Sequence, residues 1–363
     1  MIPLITGLLV ACMPTVEPDS NPNPQHTGDT ATEISGESLG VISTIANDYS
    51  VGAIATVDLS SLAIQDTLAP TSGDTVVRAL DTEIAVLNRL NTDTLRIYTP
   101  GQWDAPDLEV ALPDLANPQD AKNCGGNTWV SLHNDTQLVA FDPHGRQVAT
   151  ADLSPWAGTD GAAEPASMTV VDGALLVAVQ EIAQDDAWSA DGGVIVRVDC
   201  TTSEVEVLVT ASPSPVLVGG TSPNTLGIKT GLYGSLDGSV LLYDMTTGQQ
   251  EILITEAELS ADITAASIRG SEMVFLTADT DWNYSIHCMD ISSGSLVTAA
   301  TLSTFLADVA IDEYGRAWIS AREGWSSESP SEPGLWLMEA STCELLNETP
   351  LHTTLPPYNV AFL

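Results

Sequence analysis

The chain has 363 residues, 44% of them hydrophobic, which is too apolar a composition for a disordered polymer. Ten Lys and Arg stand against 49 Asp and Glu, a formal charge of -39, and Lys122 and Lys229 are its two lysines. A surface so poor in cations excludes nucleic acid and anionic lipid headgroups as partners, because phosphate binding rests on clustered basic side chains. It suits a salty or divalent-rich setting, where screening over about 10 Å softens self-repulsion.

The chain opens on a short apolar run, Leu4 to Cys12. A helix needs about 20 apolar residues to span a bilayer, so the run reads as the apolar region of a signal peptide. Its end, Leu9-Val10-Ala11-Cys12, resembles the lipobox of bacterial lipoproteins. That resemblance implies cleavage after Ala11 and a diacylglyceryl group on the Cys12 sulfur. It also implies the outer membrane, since Met13 stands where an inner-membrane retention signal would carry Asp. One departure is that no Lys or Arg precedes the apolar run. Residues 12–38 are then rich in Pro, Asn, Asp, Thr, Ser and Gly, and read as a lipidated, disordered tether after a signal peptide at 1–11.

From residue 39 to 363 no capped stripe of period 3.6 marks a long helix. Short Val/Ile/Leu/Thr-rich runs alternate instead with Gly, Asp, Asn, Pro and Ser turns, as in a protein of many short strands. One segment recurs seven times: an alternating strand, an acidic residue, then a small polar turn. Its copies are GAIATVDLSS (52–61), TLRIYTPG (94–101), QLVAFDPHG (137–145), GVIVRVDCTT (193–202), SVLLYDMTTG (239–248), YSIHCMDISSG (284–294) and LWLMEASTC (335–343). From Asp58 through Thr99, Asp142, Asp199, Asp244 and Asp290 to Glu339, successive gaps are 41, 43, 57, 45, 46 and 49 residues. A four-stranded propeller blade repeats at about 40–45 residues, and longer gaps mean longer loops.

Each copy falls third in a set of four strands, and the acidic residue before the turn reads as a cap on its own turn backbone. The ends complete the count. ELLNETPL (344–351) follows the seventh copy as its fourth strand, leaving PPYNVAFL (356–363) over. The first set, GVISTIAN, GAIATVDL and AIQDTLA, lacks its first strand. Pairing the two termini closes a ring and removes the open edges that invite aggregation. The expected fold is therefore an all-β, seven-bladed propeller of four-stranded antiparallel blades. The turn strings VDLSS, YDMTTG and MDISSG resemble the YVTN or quinoprotein-dehydrogenase-like propellers, although the signature tetrapeptide and the tryptophan repeats of quinone-dependent enzymes are absent.

Cys124, Cys200, Cys288 and Cys343 lie far apart with no C-x-x-C pair, which in an exported protein suggests disulfides among them, with three pairings open. The topology gathers loops between second and third strands, and the connections between blades, on one face. Several share a tryptophan among carboxylates: Asp186, Trp188 and Asp191; Asp281 and Trp282; Glu323 and Trp325; with Trp156 from a connection. These eight residues form the predicted ligand-binding mouth, aromatic and negative, suited to a carbohydrate or a protein partner. Asp279, Asp281 and Asn283 also follow the first positions of a Ca²⁺ loop, a spacing a Ca²⁺ ion could use, without its glycine or flanking helices. No other cofactor is expected.

Neither G-x-S-x-G, H-E-x-x-H nor a phosphate loop occurs. The sequence therefore reads as a monomeric, lipid-anchored, non-catalytic binding or scaffold propeller of the cell envelope. One alternative is a lactonase-like propeller hydrolase with its site in the central channel; another is an envelope-assembly lipoprotein that binds a protein partner.

Overall fold

The computed structural model describes residues 38–90, 92–183, 189–190, 192–302, 304–323 and 332–363. Cys12, the tether to residue 37, Asp186, Trp188, Asp191 and Trp325 lie outside them. The described residues form seven antiparallel sheets arranged as the blades of a ring. Six blades have four main strands, with the recurring segment third in each, as in blade 6: Asp262–Arg269, Glu272–Ala278, Tyr284–Asp290 and Ser295–Leu302. The α-helix among the described residues is four residues long, Glu256–Leu259, started by a capping box between Thr255 and Glu258.

Alternation explains where the core sits. Second strands are buried on both faces, because blades pack against both sides of them; Ala174–Val179 and Glu272–Ala278 are buried and apolar almost throughout. Fourth strands lie at the rim and expose Val148, Val207 and Ile252. The turn carboxylates behave as caps. Asp58 Oδ1 accepts from the Ser60 hydroxyl at 2.6 Å and from the backbone N–H groups of Ser61 and Ser60 at 2.7 and 2.9 Å, and these bonds, the Ser60 hydroxyl first, lower its pKa to about 2. Asp199, Asp244 and Asp290 each accept two N–H groups of their turns in the same way.

Ring closure follows the predicted pairing. Pro357–Phe362 is the innermost strand of blade 1 and pairs antiparallel with Leu39–Ile45, Val41 opposite Ala361 and Ile42 opposite Val360. Asn359 fastens it to both neighbours. Its Oδ1 accepts the Ser43 hydroxyl at 2.8 Å and the Val77 N–H of blade 2 at 3.0 Å, while its Nδ2 donates to the Val77 carbonyl at 3.1 Å.

The same device recurs around the axis. Asp120 accepts the Met168 N–H (blade 3 to 4), Ser167 the Leu217 N–H (4 to 5) and Ser267 the Ile311 N–H (6 to 7). Between blades 5 and 6 the backbone does this directly, Ile268 N–H to Val218 carbonyl at 2.7 Å.

Blade 7 departs from the expectation of a regular fourth strand. Its three strands Phe305–Ile311, Arg316–Arg322 and Gly334–Glu339 are followed by two isolated bridges, Leu335 to Leu351 and Met338 to Leu345. The cause is Asn347, whose side chain takes the place of main-chain partners: Oδ1 accepts Leu337 N–H at 2.8 Å and Nδ2 donates to the Leu335 carbonyl. Two disulfides join neighbouring blades: Cys124 to Cys200 between blades 3 and 4, and Cys288 to Cys343 between blades 6 and 7.

Candidate functional site

Loops between second and third strands share one face with the inter-blade connections, and a pocket of about 770 Å³ opens there across blades 4, 5 and 6. Blade 4 contributes Ile182 and Ser189, which flank the undescribed residues 184–188. Blade 5 contributes Lys229, at the end of its strand Thr225–Lys229, and the loop residues Gly231, Leu232, Tyr233 and Ser235. Glu256 comes from the connection to blade 6, and Asp262 and Thr264 from that blade's first strand.

Glu256 organises this pocket. Its carboxylate is buried, accepting the Gly238 N–H at 2.7 Å and the Ile263 N–H at 2.8 Å, so it ties the blade 5 loop to the first strand of blade 6. Gly238 is required by that contact, since a Cβ there would lie 2.6 Å from Glu256 Cδ. Burial raises the Glu256 pKa, against the lowering effect of those two N–H donors and of Lys229. Burial lowers the Lys229 pKa, against the pull of Glu256, Asp262 and Asp237. Lys229 forms no ion pair among the described residues. Asp262 in turn accepts the Gly234 N–H at 2.9 Å and holds the tip of the loop.

At the rim, Tyr233 stacks on Trp282 of the blade 6 loop with ring centroids 5.1 Å apart. Their outer faces remain open, at 54% and 53% exposure. The pocket thus combines an aromatic platform, carboxylates that accept hydrogen bonds and one ammonium that donates them.

The residues predicted from sequence divide. Trp282 joins this rim, and Asp281 is an exposed residue of the same turn. Trp156 ends a short 3-10 turn on the same face, but its ring is half-buried against the core between blades 3 and 4. Glu323 belongs to a separate groove where blade 7 meets blade 1, and accepts from Asn47 Nδ2 at 2.7 Å.

In the Ca²⁺-like loop, Asp279 Oδ1 accepts the Asp281 and Asn283 N–H groups, both at 2.9 Å, and Asn283 Nδ2 donates to Asp279 Oδ2 at 3.0 Å. Asp279 therefore caps its own turn. The described residues contain no group of three His, Cys, Asp or Glu side chains set to hold a metal ion. Sequence reasoning did not find Lys229, Tyr233 or Glu256. The one signal for Lys229 was its rarity, and the other two sit in loops without a motif.

No family model matches the chain, and no match was found among curated proteins. Among solved structures the chain is similar to the periplasmic gluconolactonase of Pseudomonas aeruginosa, at 15% identity over 90% of this chain and 99% of that one, TM-score 0.63. A candidate 6-phosphogluconolactonase of Bacteroides uniformis is similar at 15% identity over 91% and 100%, TM-score 0.62. Apo AztD from Citrobacter koseri is similar at 11% identity over 90% and 98%, TM-score 0.52. At such identities the likeness is one of fold: the chain is a seven-bladed β-propeller.

Proposed function

We propose that this chain is a propeller of the cell envelope, carried on a membrane by a lipid at Cys12, that binds a neutral sugar or polyol in the pocket between blades 4 and 6. The open Tyr233–Trp282 stack at the rim carries this reading. A sugar ring lays its apolar face on such a platform while its hydroxyls reach Asp262 and Lys229 below. The net negative lining disfavours an anion and suits hydroxyl donors. Periplasmic propellers among the structural neighbours agree with an envelope location.

Calorimetric titration with a panel of neutral mono- and disaccharides tests it. Binding that falls at least tenfold in Trp282→Ala and Tyr233→Ala supports the reading. Equal affinity in both variants, or no binding by any sugar, refutes it. Cys12→Ala should release the protein from the detergent phase.

A second reading, lactonase-like hydrolysis in the same pocket, is favoured by one feature. Burial lowers the Lys229 pKa, which raises the fraction of neutral amine able to take a proton from water. Hydrolysis of glucono-δ-lactone above the uncatalysed rate, lost in Lys229→Met, would select it.

A further inference from the structure

The ten cations of this chain are not spread evenly over a surface that carries 49 carboxylates. Four of them gather around the axis on the side of blades 7, 1, 2 and 3. Arg78 and Lys122 stand on the first strands of blades 2 and 3. Arg89 and Arg322 lie above them, each stacked 5.5 Å from the ring of Tyr358 near the start of the C-terminal strand.

The lower pair is the unusual one. Arg78 Nε lies 3.3 Å and Lys122 Nζ 3.7 Å from the same atom, Asp120 Oδ1. That oxygen already accepts the Ala121 N–H at 2.8 Å, and Oδ2 accepts the Met168 N–H at 2.7 Å. One carboxylate, itself engaged in holding blade 3 to blade 4, therefore faces two positive charges. Beyond it, Arg78 has one hydrogen bond, Nη1 to the Val77 carbonyl, and Lys122 has none among the described residues. Both side chains keep about a quarter of their surface open, 28% and 25%, whereas Asp120 is buried.

Arg78 also acts on Asp308 of blade 7. Arg78 and Asp120 meet across the first, innermost strands of blades 2 and 3, so the open donors face the axial channel. Asp308 supplies a counter-charge to Arg78, since burial pushes its carboxyl up only to about 6 and it stays mostly ionised at pH 7. Arg322, at the mouth, is a buried residue whose Nη2 donates to the Ala46 carbonyl and whose Nη1 has no hydrogen-bond partner among the described residues.

We propose that the channel wall of blades 2 and 3 is a binding site for one small oxyanion, a carboxylate or a tetrahedral inorganic anion, held between the Arg78 guanidinium and the Lys122 ammonium. Both cations touch one oxygen atom, so a single anion can reach both. A guanidinium fork and an ammonium are the donors that oxyanions take. Nothing in this argument uses the sugar pocket, and either site can fail without the other.

The test is calorimetric titration of the full chain with sulfate, inorganic phosphate and acetate in turn, at constant ionic strength and pH 7. Lys122→Gln, whose ion pair is long and part-exposed, is the main variant, with Arg78→Gln as the second. The expected result is saturable binding of at least one anion at a stoichiometry of one, weakened about tenfold or more in Lys122→Gln. Preference for sulfate and phosphate over acetate assigns a tetrahedral anion, and the reverse assigns a carboxylate. Absence of saturable binding by all three anions overturns the proposal, as does equal affinity in the parent and Lys122→Gln. Loss of sugar binding in Trp282→Ala with anion binding intact separates this site from the pocket.

Discussion

Replacing Asn359 with alanine removes one small side chain, yet the structure assigns it a disproportionate effect. The Val77 N–H and the Ser43 hydroxyl take their partner from that amide, whereas the Val77 carbonyl keeps the Arg78 Nη1 donor, and Val77 and Ser43 are fully buried. Each orphaned buried polar group costs about 1–3 kcal/mol, so the two sum to roughly 2–6 kcal/mol for Asn359→Ala. Against a usual net stability of about 5–15 kcal/mol, the variant should remain folded at room temperature but be markedly weakened. At about 2 °C per kcal/mol, thermal melts followed by circular dichroism should shift down by roughly 4–12 °C. Asn47→Ala, an exposed amide on the same face, serves as the control and should shift by about 1 °C or less. An Asn359→Ala melt within about 1 °C of the parent would refute the reasoning and show that closure rests on the strand pairing alone.

Deleting residues 357–363 should produce aggregation or loss of the cooperative melt, read by light scattering, since it exposes the edges of blade 1 and of its neighbours. Trp282→Ala should change the melting temperature by less than about 3 °C, because the ring is largely exposed; a loss like that of a core aromatic, about 3–5 kcal/mol, would make it structural. Burial lowers the His287 pKa from 6.5 to about 4, and both ring nitrogens contact threonine hydroxyls, so the fold holds the ring neutral. The folded pKa lies below the unfolded one, so this contribution is present above pH 6.5 and is lost as pH falls towards 4. It amounts to up to about 3 kcal/mol, and His287→Gln should flatten that arm of a stability–pH profile. Reduction of both disulfides should cost about 4 kcal/mol apiece from loop entropy, measured by denaturant unfolding with and without reductant.

The ring was legible in the sequence because its signal is repeated: seven alternating strands, each ending in an acidic cap, leave a period that survives loops of different lengths. The closing strand was legible by counting, since 356–363 had no partner in its own blade. The weak fourth strand of blade 7 was not, because the substitution of the Asn347 side chain for main-chain partners depends on neighbours far along the chain. The pocket was hidden for a related reason. Lys229, Tyr233, Glu256 and Asp262 come from four different segments, and no spacing links them. The tryptophan loops pointed, through Trp282, to the face on which this pocket opens. They gave no sign that Trp156 would turn inward, because an indole beside carboxylates reads alike whether it is exposed or packed.

The positions of the crosslinks divide the ring mechanically. Sutures run between blades 3 and 4 and between blades 6 and 7, and the closing strand clasps the arc from blade 7 to blade 2. Blade 5 has neither a suture nor a full inner strand, since Val216–Leu217 supplies only two paired residues there. The arc that carries the pocket is thus the compliant sector of an otherwise riveted ring. Under heat or load this sector gives first, and amide exchange should be fastest in its inner strands.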